Sequence, residues 1–475
     1  MRPVVGFDLD LTLVDSADGI VATFVETARR LDVTVDPAAV QRLIGVPLEA
    51  TCEALLPADV AASAVELYRE LYPTLGVPGT TLLPGAAEAV DAVRAHGGRA
   101  VVVSAKIERA VRAVLDHVTL DVDEAVGGLY AEAKGEALRA VGAVAHVGDH
   151  PADMIGARAA HAAAVGVTTG FHDAAALQSA GADVVLADLR DFPRWLDERV
   201  LGARLACLEA LLRELGSVAV AFSGGADSAF LLATAVRALG ADRVLAATAV
   251  SPSLPRRELL AAREFAAGLG VRHVSPRTDE MARDGYRANG GDRCYFCKAE
   301  LLDVLAPLAA REGFAHVATG TNADDAIAGF RPGIRAAAER GAATPLLDAG
   351  LTKSQVREAS RRWGLSTWDK PAAACLSSRV AYGLEITPAR LARVDRAEAA
   401  LQGALAGAGV AVTNLRVRDL GDFARVEVDR EVLDEVAAHP GVRAVVKAAG
   451  FADVTVEAFR SGAMNELLPQ PARRR

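Results

Sequence analysis

The chain has 475 residues, 51% hydrophobic and 24% charged, with a net charge of −9. That length suits about two or three domains rather than one core. The composition is globular rather than disordered, and the acidic balance argues against a broad nucleic-acid surface. Five cysteines are too few and too scattered for a disulfide framework, so a reducing cytoplasm is expected. The opening "MRPVVGFDLD" has too short an apolar run for a signal peptide. No stretch approaches the roughly 18 uncharged apolar residues of a membrane span.

Short apolar runs alternate with helical patterns along the whole chain, which is the α/β signature. Strands are predicted first at "PVVGFD", "GRAVVVS", "AVAHVGD" and "ADVVLA". Residues from about Ser16 to Leu75 read as helical, too long for one crossover, and form a cap inserted over about 16–80. A helix over about Phe192 to Leu215 leads to "SVAVAFSGG", which opens a second set with "VLAATAV", "VRHVS" and "FAHVATG". Past Tyr382 a helix over about Thr387 to Leu405 precedes the strands "TNLRVRDL" and "FARVEVD", another helix and "FADVTVE". The expected domains are 1–198, 199–382 and 383–475, the last a small α+β unit.

"GFDLDLTLVDS" places Asp8 and Asp10 just beyond a strand, two residues apart and so on one side of an extended chain. At the carboxyl end of a parallel strand that side meets the ligand crevice. Two such carboxylates repel each other, and Mg²⁺, which favours a few carboxylates with phosphate oxygens, would relieve this. Ser104 ends "VVVS" and could donate to a phosphate oxygen. Lys134 opens a helix and could neutralise phosphate charge, and Asp149 and Asp153 in "HVGDHPADM" are candidate metal ligands.

These stretches, DxDxT, then Ser, then Lys, then GDxxxD, resemble the haloacid dehalogenase (HAD) phosphohydrolases over roughly residues 1–195. The resemblance implies a Rossmann-like domain with a helical cap of the phosphoglycolate-phosphatase kind. It makes Asp8 the nucleophile and Asp10 the general acid and base. Thr12 and Ser104 become phosphate holders, Lys134 a charge stabiliser, and Asp8, Asp10, Asp149 and Asp153 the Mg²⁺ site. His150 and Lys106 beside these motifs read as solvent-facing.

"VAVAFSGGADSAFLL" is strand, glycine loop and helix. Gly224 and Gly225 allow a tight turn that aims N–H groups at a phosphate, and the following helix adds its positive end. Ser223 and Ser228 can donate hydroxyl hydrogen bonds. The pattern SGGxDS resembles the PP-loop of ATP pyrophosphatases, which cleave ATP to AMP and pyrophosphate. This places Ser223, Gly224, Gly225, Asp227 and Ser228 on ATP, with Asp324 and Asp325, which follow a later strand, toward the nucleotide or its Mg²⁺.

With "GDRCYFCKAELL", "GTNADDAIAGFRPG", "LTKSQVREASRRWGL", "WDKPAAACLSSRVAYG" and "LRVRDLGDFARVEV", residues 200–460 resemble the LarE family. Members are ATP-dependent sacrificial sulfur transferases of nickel-pincer cofactor synthesis. The resemblance implies that a pyridinium carboxylate mononucleotide is adenylated and that Cys375 gives up its sulfur, leaving dehydroalanine. A thiolate is the best side-chain nucleophile near neutral pH. Arg379 and Lys370 stand near Cys375 in sequence and could favour the thiolate or bind phosphate. Arg331 is a further substrate candidate, with Trp368, Arg416 and Glu427 weaker. Thr352 and Gln355 read as a helix capping box.

Other readings stay open. Cys294 and Cys297 form a CxxC, and with Cys375 they could hold an iron–sulfur cluster, a reading less favoured than two cysteines that simply begin a helix. Cys52 and Cys207 are expected in the core. The PP-loop would also suit an amide-forming ligase or tRNA thiolase, or a nucleotide-binding scaffold without turnover. The expected partner is a small-molecule nucleotide, with no membrane and no nucleic acid, and the chain is expected to form a homo-oligomer.

Overall fold

The structure is a computed structural model that describes residues 2–327, 331–371 and 375–460. The chain divides into two compact units at Val200 and Leu201, within the helix Phe192–Leu215.

The first unit is built on a six-stranded parallel sheet. Its order is Glu124–Val126, Arg99–Val103, Val4–Phe7, Ala145–Gly148, Ala163–Val167 and Val184–Leu186. The central strands are closed in on both faces, which is why they read as unbroken apolar runs. Strand order reverses around Val4–Phe7, so the crevice at its carboxyl end is a switch point where ligands bind. Two strands of this sheet are not evident from the sequence. Glu124–Val126 has three residues, and Ala163–Val167 is rich in alanine, a helix former.

Four helices, Ala17–Arg30, Pro37–Gln41, Leu48–Leu55 and Ala58–Leu75, are inserted after the first strand. The chain enters and leaves them through an antiparallel ribbon of Val14–Asp15 with Thr81–Leu82. Phe24, Tyr68 and Tyr72 are buried on the inner face of this insert. Phe7 of the first strand packs edge-on against Phe192, with 5.3 Å between ring centroids.

The second unit has a four-stranded parallel sheet in the order Arg272–Val274, Val244–Ala247, Val218–Ala221 and His316–Thr319. A three-stranded sheet of Leu415–Asp419, Phe423–Val428 and Asp453–Ala458 closes the chain, backed by the helix Pro388–Gly407. The core beneath that sheet also takes in Tyr286, Leu376 and Val380, which ties the segment after Cys375 to the closing sheet. Thr352 and Gln355 form the expected reciprocal capping box on Lys353–Arg362. Cys52 is buried, but Cys207 is exposed, because its helix turns that position away from the buried Arg204 and Leu208 stripe.

Candidate active sites

In the first unit the sheet delivers the motif residues to one crevice. Asp8 follows Val4–Phe7, Ser104 follows Arg99–Val103 and Asp149 follows Ala145–Gly148. The loop after Asp8 turns through Leu11 at φ 57°, a left-handed conformation unusual for a leucine. Asp8, Asp149 and Asp153 are buried, and one oxygen of each lies within 4.8 Å of the others. Thr12 donates to Asp149 at 3.0 Å, and Lys134 donates to Asp8 at 2.9 Å and to Asp153 at 2.6 Å. Gly148 is required here, since a Cβ would stand 2.2 Å from Asp153 Cγ.

Burial is the largest influence on Asp8 and pushes its carboxyl up to about 6, although Lys134 pulls the other way. Burial, then the Asp153 and Asp8 charges, holds Asp149 well above the ordinary carboxylate range. Asp153 goes the other way: burial is opposed by Lys134 and His146, and the carboxyl is held low. A buried trio of carboxylates with surplus negative charge fits a divalent cation as the chemistry of its donors requires. The Asp10 carboxylate is not in that trio. It accepts from Ser16 at 2.6 Å and from Lys106 at 2.9 Å.

Two expectations are corrected at this site. Lys106 does not face solvent: it is 11% exposed, bonded to Asp10 and lying over the Tyr72 ring at 4.2 Å. His150 is half-buried and caps Pro151–Ala159 by accepting from Ala152 N at 3.0 Å, and burial draws its imidazole down to about 4. Both partners, Asp10 and Tyr72 for Lys106, lie far away in sequence, so no local pattern announces the pairing.

In the second unit a cleft of about 350 Å³ opens at the carboxyl ends of Val218–Ala221, Val244–Ala247 and His316–Thr319. Ser223, Gly225, Asp227, Ser228 and Asp325 line it. Gly224 adopts φ +72°, and the Ser223 and Ser228 hydroxyls lie 3.0 Å apart. Asp325 pairs with Lys353 at 3.0 Å, while Asp324 accepts from the Lys353 backbone N–H at 2.7 Å. Lys298 also lines the cleft, and burial lowers its ammonium below the usual lysine range. It follows the CxxC directly, yet only the fold shows that Lys298 and Leu301 of Arg293–Arg311 face this cleft.

Cys375 is half-buried and opens the single turn Leu376–Arg379. Lys370 donates to the Gly224 carbonyl at 2.9 Å and to Glu258 at 2.8 Å. The Leu376 N–H donates to the Ser253 carbonyl at 2.9 Å. The thiol segment is thus fastened beside the glycine loop on both sides of Cys375. Three arginines then hold the turn by its carbonyls. Arg379 donates to Cys375 O at 3.2 Å, Arg293 to Ser377 O at 2.9 Å and Arg418 to Ser378 O at 2.9 Å.

Arg379 is itself paired with the fully buried Glu398 at 2.9 Å, and Arg418 with Glu427 at 2.7 Å. Burial, then Arg379 and Arg418, draws Arg416 down to about 10, so the three cations are close enough to feel one another. Arg331 is exposed, at the start of Pro332–Glu339, and Trp368 is 40% exposed. Ala372–Ala374, read as making room for an acceptor, lie outside the described residues. Cys294 is exposed and Cys297 half-buried; the thiol of each is pushed up, by desolvation of its sulfur first, and each also feels Cys375. Among the described residues no helix is long and apolar enough to cross a membrane.

The fold and the acidic crevice of the first unit define a phosphohydrolase class. Residues 5–127 match the family described as haloacid dehalogenase-like hydrolase, and 126–192 match the HAD-hydrolase-like family. The probable phosphatase IndB of Dickeya dadantii is 31% identical over 206 residues, 39% of this chain and 90% of that one. Pyridinium-3,5-bisthiocarboxylic acid mononucleotide synthase of Lactiplantibacillus plantarum is 34% identical over 271 residues, 56% of this chain and 96% of that one. An uncharacterized protein of Synechocystis sp. is 40% identical over 274 residues, 57% of this chain and 99% of that one. The chain therefore belongs to the HAD-like hydrolases in its first unit and to the LarE family of sulfur transferases in its second, and it is an enzyme of both kinds.

Proposed function

We propose that the first unit hydrolyses a phosphomonoester through a phosphorylated Asp8. The Asp8 carboxylate attacks phosphorus, the bond to the alcohol oxygen breaks, and Asp10 gives that oxygen its proton. Asp10 then takes a proton from the water that attacks phospho-Asp8, and inorganic phosphate leaves. Ser104 donates to a phosphate oxygen and Lys134 offsets the phosphate charge, while the Thr12 hydroxyl, expected on the phosphate, instead holds Asp149. Asp8, Asp149 and Asp153 would hold Mg²⁺, which supplies positive charge beside the phosphoryl group when bound. The Asp10 carboxylate is turned to Lys106 and Ser16 and away from the Asp8, Asp149 and Asp153 trio, which speaks against direct metal ligation by its side chain.

The second unit, in this reading, transfers sulfur to a carboxylated pyridinium mononucleotide in the synthesis of a nickel-pincer cofactor. Ser223, Gly224, Gly225, Asp227, Ser228 and Asp325 hold ATP and its Mg²⁺. A substrate carboxylate oxygen attacks the α-phosphorus and pyrophosphate leaves. The Cys375 thiolate displaces AMP to give a thioester. Loss of the cysteine α-proton with cleavage of its Cβ–S bond leaves a thiocarboxylate and dehydroalanine. Arg379 positions the Cys375 turn, and Arg331 lies where it can meet an anionic substrate entering past Cys294, whose thiol it influences.

The observation that carries this reading is the Lys370 bond from the Cys375 segment to the Gly224 carbonyl of the glycine loop, with Leu376 N–H held by the Ser253 carbonyl of the loop after Val244–Ala247. The test is mass spectrometry of the peptide containing residue 375, after incubation with ATP, Mg²⁺ and the biscarboxylated mononucleotide, each withheld in turn. Loss of the elements of hydrogen sulfide only in the full mixture is expected. An intact Cys375 with no AMP formed would refute it.

A second reading starts from the CxxC of Cys294 and Cys297 together with Cys375. Three thiolates suit an iron–sulfur cluster with one iron left open, which would spare Cys375. Iron and sulfide analysis after anaerobic reconstitution, with an unmodified Cys375 after several turnovers, would favour it over the sacrificial route.

A further inference from the structure

In the elimination proposed above, Cys375 must lose more than its sulfur. The bond from its Cα to hydrogen breaks, and the electron pair passes toward the Cys375 carbonyl before the Cβ–S bond gives way. A proton beside an amide carbonyl is a very weak acid. The step therefore needs help where the charge collects, on Cys375 O. Preorganised donors aimed at such an oxygen are usually the largest single contribution to catalysis.

Three donors converge there. The Ser378 N–H donates to Cys375 O with 3.0 Å between N and O, the Ser378 hydroxyl at 2.7 Å and Arg379 Nη1 at 3.2 Å. The first is the ordinary bond of the turn Leu376–Arg379. A carbonyl oxygen has two lone pairs, so the three together exceed what the turn requires. The two side chains also reinforce each other. Arg379 Nη1 donates to Ser378 Oγ at 3.3 Å, which polarises that hydroxyl toward Cys375 O. Glu398 takes Nε and Nη2 of Arg379, at 2.9 and 3.4 Å, and so points Nη1 at the turn. The Arg379 side chain is 6% exposed, where water weakens its charge little. An enolate oxygen stays where the carbonyl oxygen was, so no donor has to move.

We propose that Ser378 and Arg379 form an oxyanion hole for the enolate of Cys375, and so are catalytic residues of the step that releases sulfur. The proposal rests on the sacrificial reading of Cys375. Solvent water, which reaches the half-buried Cys375, takes the α-proton. The pair left on Cα forms a double bond to the carbonyl carbon and puts the negative charge on Cys375 O. That pair then returns as the Cα–Cβ double bond of dehydroalanine, and the Cβ–S pair leaves with sulfur as the thiocarboxylate.

The test is a single turnover of the full chain with ATP, Mg²⁺ and the biscarboxylated mononucleotide. AMP is followed by chromatography and residue 375 by mass spectrometry of acid-quenched samples. Ser378 is half-buried, so Ser378→Ala should fold. In that variant AMP should still form, the Cys375 thioester should accumulate, and dehydroalanine should appear about a hundredfold more slowly than in the parent. Ser378→Thr keeps the hydroxyl and should restore elimination. Deuterium on the Cys375 α-carbon should slow the decay of the accumulated thioester and not the formation of AMP. Dehydroalanine forming in Ser378→Ala at the parent's rate would overturn the proposal and leave the sacrificial reading standing. So would slowed AMP formation with no thioester, since Ser378 would then act before elimination, or a thioester decay that deuterium does not slow. A parent that keeps Cys375 intact, with or without AMP, would overturn both readings.

Discussion

Glu427→Ala should unfold the sulfur-transferase unit far more readily than its place on a small closing sheet would indicate. Glu427 and Arg418 are each 3% exposed in their side chains. Arg418 Nε and Nη2 both donate to Glu427 Oε2, at 2.9 and 2.7 Å, while Nη1 donates to Ser378 O. Removing the carboxylate leaves a buried guanidinium facing a cavity. Breaking a buried pair in this way costs about 3–5 kcal/mol, a large part of a typical stability of about 5–15 kcal/mol. Replacing both members with apolar residues of similar volume is about neutral. Arg418→Met with Glu427→Leu should therefore recover much of the loss, less what Arg425 loses with its 3.4 Å bridge to Glu427.

Urea unfolding, with hydrogen exchange on Leu415–Asp419 and Phe423–Val428 to assign the transition, measures both. The double variant restores stability but not the donor to Ser378, so Cys375 should stay slower to react in the full ATP mixture. A single variant within about 1 kcal/mol of the parent, or a double variant as unstable as the single, would refute the reasoning.

Three further outcomes are expected. Asp8 has a folded-state value raised to about 6, so its contribution to stability is present at low pH and fades as pH rises through that value. The rise in Tm on adding Mg²⁺ should accordingly be larger at about pH 7.5 than at about pH 5, because the ion replaces protons on Asp8 and Asp149; scanning calorimetry checks this. Gly148→Ala should cost about 1–3 kcal/mol by thermal melts, because Asp153 is fixed by Lys134 and cannot yield to the new Cβ. Lys298→Ala should slow ATP-dependent AMP formation by about tenfold or more, with an unchanged melting curve for the first unit.

Much of the fold can be read from the chain because buried parallel strands write themselves as short apolar runs ending in a polar residue. "VVGF" before Asp8 and "AHVG" before Asp149 are such runs. "AAVGV" is not, since alanine serves a buried strand and a helix equally well. At the sites, spacing shows which residues end a strand or open a helix, and so points to Asp8, Asp10, Lys134 and Ser223. It does not show what faces them across the fold. Lys106 meets Asp10 from 96 residues away, Glu398 meets Arg257 from 141, and Arg293 reaches Ser377 from 84. A lone cysteine is harder still, because a helical pattern does not say which side it takes, and Cys52 and Cys207 take opposite ones.

The ribbon of Val14–Asp15 with Thr81–Leu82 brings the entry and exit of the helical insert side by side, so the insert hangs like a gate from one hinge post. That post begins two residues after Thr12, and its backbone is stitched to the catalytic loop by Leu11 N–H to Val14 O and Leu83 N–H to Leu13 O. Swinging the gate loads the same few peptides that aim Asp10. Lengthening a loop between the insert's helices would reshape what the gate encloses and leave Asp10 where it is. Lengthening the post by one residue would misplace Asp10 even with the enclosure intact.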